Sequence, residues 1–236
     1  MDLYLQNIKK SFNNKEVLKS ATFHFEKGKI YGLLGRNGSG KTTLFNCLSG
    51  ELKMDKGEAV LKIGDLEKQL GTDDIGYVFS TAILPEFLTG YEFIKFFMDI
   101  NKNKIHTHSS INDFFDLMKI DDADRHKLIK DYSHGMKNKI QMLMFIIAKP
   151  PIILLDEPLT SLDVVVALEI KKILKEIRKD HIIIFSTHIL QLATDLCDEI
   201  VALNEGELEL LDHDMLKSSD FEEKLVKLLS EEGSHA

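Results

Sequence analysis

The chain has 236 residues, 44% of them hydrophobic and 29% charged, with a formal net charge of -8. That composition excludes a disordered or fibrous protein and leaves ample apolar content for one large α/β domain, or for one domain with a sizeable inserted subdomain. The acidic balance argues against a nucleic-acid binder working through bulk electrostatics, so no nucleic-acid partner is expected. Cys47 and Cys197 lie far apart in neither a disulfide nor a zinc pattern, and read as small buried apolar residues. The longest apolar run, Met142 to Ala148, falls well short of the roughly 20 residues that span a bilayer. Met1-Asp2-Leu3-Tyr4 has no basic stretch followed by an apolar core, so no secretory signal is expected.

In chain order, residues 1 to 31 pattern as β structure, with Leu3-Tyr4-Leu5 and Ala21 to Phe25 as apolar runs and turns at Asn13-Asn14-Lys15 and Glu26-Lys27-Gly28. Ile30 to Leu34 is a short buried strand ending at Gly35. Lys41 to Gly50 is the helix that follows, with Gly50 at its C-cap. Residues 57 to 80 return to β pattern, ending in Ile75-Gly76-Tyr77-Val78-Phe79. From about Leu88 the period becomes helical, with Phe93, Ile94, Phe97, Met98, Phe114, Phe115, Leu117 and Met118 as packing residues. Pro150-Pro151 ends that region. Ile152 to Leu155 and Ile182 to Phe185 are fully apolar strands flanking a helix over Val164 to Lys179, whose buried candidates are Val165, Leu168, Ile170, Ile173, Leu174 and Ile177. A helix over 189 to 197 and a strand over Glu199 to Leu203 follow. Apolar strands alternating with helices predict a mostly parallel sheet covered on both faces.

Gly35-Arg36-Asn37-Gly38-Ser39-Gly40-Lys41-Thr42 matches G-x-x-x-x-G-K-[ST] in full, between an apolar strand and a helix. The glycines let backbone N–H groups turn inward on phosphate oxygens, and the helix adds its positive end. Lys41 is placed for the β/γ-phosphates and Thr42 for Mg²⁺. Asp156 and Glu157 stand at the carboxyl end of a buried strand, where open α/β sheets place ligands. Asp156 is a candidate Mg²⁺ ligand, through water, and Glu157 the candidate general base. His188 ends a third buried strand and is a candidate γ-phosphate contact.

Over roughly residues 3 to 210 this set resembles the ATP-binding subunit of an ATP-binding-cassette (ABC) transporter. Gly35 to Thr42 resembles the Walker A loop, Ile152 to Glu157 Walker B with its catalytic glutamate, Ser161-Leu162-Asp163 the D-loop, and His188 the switch histidine. Phe12 stands where the family stacks an aromatic on adenine, and Thr43 extends the phosphate-loop contacts. Tyr132-Ser133-His134-Gly135-Met136 resembles the signature, usually Leu-Ser-Gly-Gly-Gln, in a variant found in the export-type branch. Ser80 takes the place of the usual glutamine, a Mg²⁺ and water contact. It is two heavy atoms shorter and reaches the metal only through a water, or leaves that part to Thr81.

The resemblance implies a P-loop NTPase fold with an N-terminal antiparallel β subdomain and an α-helical insert. Residues 1 to 80 and 151 to 210 form the nucleotide-binding core, 81 to 150 the helical subdomain, and 211 to 236 a C-terminal helix. It also implies a Mg-dependent ATPase forming a head-to-tail dimer, with each ATP held by one P-loop and by Ser133 and Gly135 of the other chain. The separate partner is a membrane permease, gripped by residues 81 to 92 with Ile83, Leu84, Phe87 and Leu88 either lining the groove or packing inward. That places the chain in the cytoplasm, on the inner face of the membrane. Export of a drug, peptide, lipid or polysaccharide is the expected cargo class. A non-transport ABC ATPase and a weakly hydrolysing regulatory module remain alternatives; the guanine motif of a GTPase is absent.

Overall fold

A computed structural model describes residues 1–13, 15–103, 105, 109–159 and 164–211. Ser161-Leu162-Asp163 and the C-terminal helix expected beyond residue 211 lie outside the described residues. Among the described residues, ten strands form two sheets. The first is antiparallel, in order β2-β1-β4-β5, from β1 (Asp2–Phe12), β2 (Lys15–Glu26), β4 (Lys56–Ile63) and β5 (Leu66–Gln69). The second runs β10-β9-β3-β8-β7-β6, from β3 (Ile30–Leu34), β6 (Ile75–Val78), β7 (Ile152–Asp156), β8 (Ile182–Thr187), β9 (Glu199–Asn204) and β10 (Glu207–Leu211). Every pairing in it is parallel except β9 with β10.

The apolar strands have to be buried on both faces, and they are. Ile153, Leu155, Ile183 and Phe185 face a core shared with the helices, while Ile152, Leu154, Ile182 and Ile184 face a core shared with the antiparallel sheet and α1 (Lys41–Ser49). Each such side chain contributes about 1.5–3 kcal/mol on burial. α1 ends at Gly50 in the left-handed conformation.

Helices α2 (Gly90–Ile100), α3 (Ile111–Leu117), α4 (Asp122–Arg125) and α5 (His134–Ala148) occupy the region of helical period. Thr89 and Ser110 cap α2 and α3 in reciprocal capping boxes with Glu92 and Asp113. Phe93, Ile94, Phe114, Phe115 and Met118 are buried, but Leu117 is exposed. α6 (Val164–Ile177) packs into the core shared with the helices, and α7 (Leu190–Leu196) lies against β3 and β8. α6 buries Ile170 and Leu174 only; Val165 and Leu168 are 66% and 60% exposed. At 3.6 residues per turn these two lie on the far side of the helix from Ile170, so six apolar residues could not all share the buried stripe.

Cys47 is buried and Cys197 half-buried, and burial pushes the Cys47 thiol up to about 11 and that of Cys197 up to about 12. Both therefore stay protonated at neutral pH. No helix among the described residues is long and apolar enough to cross a membrane.

His181, which leads into β8, is buried with Nδ1 2.6 Å from the Pro150 carbonyl oxygen, a geometry that requires Nδ1–H as donor. Burial holds its imidazole below the ordinary value, which is about 6.5. The unfolded chain thus binds the proton more tightly, and stability falls as pH drops below about 6.5. We expect His181→Asn, which keeps a donor near Pro150 but does not titrate, to flatten part of the fall in urea midpoint between pH 7 and 5. An unchanged slope would rule His181 out as the source.

Candidate nucleotide site

The carboxyl ends of β3, β7 and β8 share one edge of the sheet because these strands are parallel and adjacent. The segments following them therefore converge. After β3 the chain turns tightly through Gly38 (φ 82°) and Gly40 (φ 108°), both left-handed. A Cβ on Gly40 would also come within 2.9 Å of the Val17 side chain, so glycine is required there on two counts. Ser39 N–H donates to the Arg36 carbonyl at 3.1 Å, and Lys41 Nζ donates to the carbonyls of Gly35 (2.8 Å) and Arg36 (3.2 Å). Burial lowers the Lys41 pKa, partly offset by the Glu157 and Asp156 carboxylates. The Ser39 hydroxyl is buried with no hydrogen-bond partner. An orphaned donor inside a loop of this shape fits a missing phosphate. Asn37 is exposed, Thr42 is exposed and Thr43 half-buried at the start of α1.

Thr42 Oγ1 donates to Asp156 Oδ2 at 2.8 Å, which joins the loop to the tip of β7. Asp156 is almost fully buried and also accepts from Ser186 Oγ at 2.5 Å through Oδ1. Glu157 has a left-handed backbone (φ 48°), which costs a non-glycine residue on the order of 1 kcal/mol or more. Two contacts hold it: its N–H donates to Ser186 Oγ at 3.0 Å, and its Oε1 lies 3.0 Å from His188 Nδ1. Ser186 thus supports both carboxylate residues, a part that the sequence reading did not assign. The available signal was a small hydroxyl ending an apolar strand beside the Asp-Glu strand.

Other candidates sit apart from this cluster. Ser80 is exposed two residues beyond β6, and the hydrogen bonds of Thr42 and Asp156 go to each other and to Ser186 rather than to it. A cleft of about 300 Å³ opens beside the loop, walled by Arg36 to Ser39, by Val17 of β2, and by the Glu205-Gly206 turn. Phe12 is not part of its wall; it lies exposed at the end of β1 with the Lys10 ammonium 5.4 Å from its ring centroid. That turn is tied to β2 by the N–H groups of Lys19 and Ser20 donating to the Gly206 carbonyl.

Ser133 is the N-cap of α5, its hydroxyl accepting from Met136 N–H at 3.2 Å, and both Ser133 and Gly135 lie at the surface side of that turn. Tyr132 fastens the turn to the helical region. Its hydroxyl donates to the Asp124 carbonyl at 2.7 Å, and its ring packs so closely on Gly90 that any Cβ there would collide with it. Burial pushes the Tyr132 phenol up to about 12. Ile83 and Phe87 are exposed at 72% and 78%, whereas Leu84 and Leu88 pack against the core.

The family model described as "ABC transporter" matches residues 18–160. The chain is 32% identical over 209 residues to an uncharacterized ABC transporter ATP-binding protein of Bacillus subtilis, covering 87% of this chain and 69% of that one. It superposes with a TM-score of 0.80 on the ATP binding subunit of an ABC transporter, at 23% identity over 97% of this chain and 99% of the other. A dimeric ATP-binding cassette in a post-hydrolysis state, bound to ADP and Pi, matches with a TM-score of 0.73 at 22% identity, over 89% and 99% of the two chains.

Proposed function

The chain belongs to the ABC transporter family as an ATP-binding subunit and ATPase, and on that premise we propose that it holds Mg-ATP between the Gly35–Thr42 loop and the tip of β7. The observation that carries this reading is the 2.8 Å bond from Thr42 to Asp156. A hydroxyl and a carboxylate are hard oxygen donors suited to Mg²⁺, with Ser80 reaching it through a water. The ion, when bound, neutralises charge on the β- and γ-phosphates. Lys41 exchanges its two carbonyl partners for phosphate oxygens, and Ser39 gains an acceptor. Glu157 takes a proton from the attacking water as the water oxygen bonds to the terminal phosphorus. The bond to the bridging oxygen breaks, and ADP leaves with the electron pair. His188 keeps Glu157 oriented and then meets the γ-phosphate. Phe12 stacks on adenine through its exposed face. Phosphate release from Mg-ATP, compared with that of Glu157→Gln, tests this assignment.

Two such chains pair head-to-tail, with Ser133, Gly135 and the positive end of α5 closing on the partner's ATP. Residues 1–80 and 151–210 act as the nucleotide-binding core and 81–150 as the helical arm that carries the signature. The arm docks on a membrane permease, which holds the chain at the inner face of the membrane and moves an exported cargo. Support for docking comes from Ile83, a large apolar side chain exposed on a groove that it lines, and from the exposed Phe87 four residues further on. Ile83→Glu should leave the thermal midpoint and basal ATP turnover of the isolated chain nearly unchanged but abolish co-purification with the permease. Undiminished co-purification would overturn the docking assignment.

A further inference from the structure

Ser186, near the end of β8, is fully buried, with β7 on one side of its strand and β3 on the other. A serine hydroxyl has one proton to give and two lone pairs to accept with. An ionised carboxylate only accepts, so the bond to Asp156 Oδ1 commits that proton. The lone pairs are left for the Glu157 N–H, whose nitrogen lies 3.0 Å away. That N–H belongs to the residue with φ 48°, a conformation that a non-glycine residue keeps only when its surroundings hold it. The Glu157 carboxylate in turn lies beside His188, two residues beyond Ser186. One strand end therefore holds Glu157 twice, by its backbone and by its side chain. The backbone bond is the more consequential, because the backbone dihedrals set the direction in which the side chain departs.

We propose that Ser186 is a positioning residue for hydrolysis: its hydroxyl, turned by Asp156, holds Glu157 in the left-handed turn that aims the carboxylate at the attacking water. This rests on the reading of Glu157 as general base and deepens it, since it makes the placement of the base depend on Asp156 through one buried proton. Ser186 itself takes no part in the proton transfer. Without the hydroxyl, the Glu157 N–H loses its acceptor and the backbone relaxes toward the commoner dihedrals, which swings the carboxylate away. Asp156 keeps its bond from Thr42, and the Gly35–Thr42 loop is untouched. Loss of Ser186 therefore falls on the rate of the chemical step and not on ATP binding.

The first measurement needs neither metal nor nucleotide. By NMR of the free full chain, the Glu157 amide should exchange with solvent about tenfold faster in Ser186→Ala than in wild type, the worth of one good hydrogen bond. Ser186→Thr, which keeps the hydroxyl, should stay slow. In phosphate release from Mg-ATP, Ser186→Ala should lose about a hundredfold in kcat, the cost of a displacement of about 1 Å. The KM for ATP should move by less than about threefold, and Ser186→Thr should recover most of the rate. In a Glu157→Gln background, Ser186→Ala should cost less than about threefold further, because no base is left to place. Unchanged amide exchange, an unchanged kcat, or an equal loss in both backgrounds would each overturn the proposal while Glu157 keeps its role. Wild-type turnover in Glu157→Gln alone would remove the base reading and this inference with it. Should Ser186→Ala not fold by circular dichroism, Ser186→Cys, near in size but a weak donor and acceptor, is read by the same criteria.

Discussion

Glu157→Gln is expected to lower ATP turnover by about 10²–10⁴, the usual contribution of a positioned general base, while ATP binding survives. Glutamine keeps the shape and preserves an oxygen for His188 at the position where Glu157 Oε1 now lies 3.0 Å from Nδ1. It also leaves untouched the backbone N–H bond to Ser186 that holds the left-handed turn. What it removes is the proposed acceptor for the proton of the attacking water. On the proposed head-to-tail pairing, ATP would then persist between two chains, with its γ-phosphate bridging the phosphate loop of one and the α5 end of the other. On a sizing column in saturating Mg-ATP the variant should elute as a dimer, and in ADP as a monomer. A variant that stays monomeric in ATP would sink the composite site, and one with normal turnover would remove Glu157 from its assigned role.

Gly35→Ala is expected to damage the same site from the opposite side. A Cβ at residue 35 would stand 2.5 Å from Ser39 Oγ and 2.9 Å from the Leu203 carbonyl oxygen. The second contact is backbone of β9, which pairs with β3 and cannot retreat without breaking the parallel ladder. The loop must therefore lift away from the sheet, taking with it the Gly35 carbonyl that now accepts from Lys41. Displacements of about 1 Å at a reacting centre cost on the order of a hundredfold in rate. We expect turnover to fall by about that factor, with weaker ATP affinity and a folded chain by circular dichroism. Wild-type turnover in this variant would show that the loop tolerates a shape other than the one described here.

These two expectations separate the kinds of information in the chain. Residue order alone determined the phosphate loop, since eight positions between an apolar strand and a helix admit few other uses. It also determined the alternation of apolar strands and helices that forces a parallel sheet, because a run such as Ile152 to Leu155 has no polar face to expose. Membership of the family follows from the same patterns. What residue order left open was set by side chains meeting across the fold. Six apolar residues on α6 exceed what one stripe can bury, and packing against the sheet chose Ile170 and Leu174 over Val165 and Leu168. Ile83, Leu84, Phe87 and Leu88 look alike in sequence, and the core took two of them. The role of Ser186 was equally hidden. A hydroxyl at a strand end becomes a hinge for two carboxylate residues only because β8 lies beside β7 in the sheet, at a register that sets Asp156 against Ser186. Local pattern decides which segments form strands, helices and loops; which neighbours they acquire depends on contacts between residues about thirty positions apart or more, and those are fixed only when the layers pack.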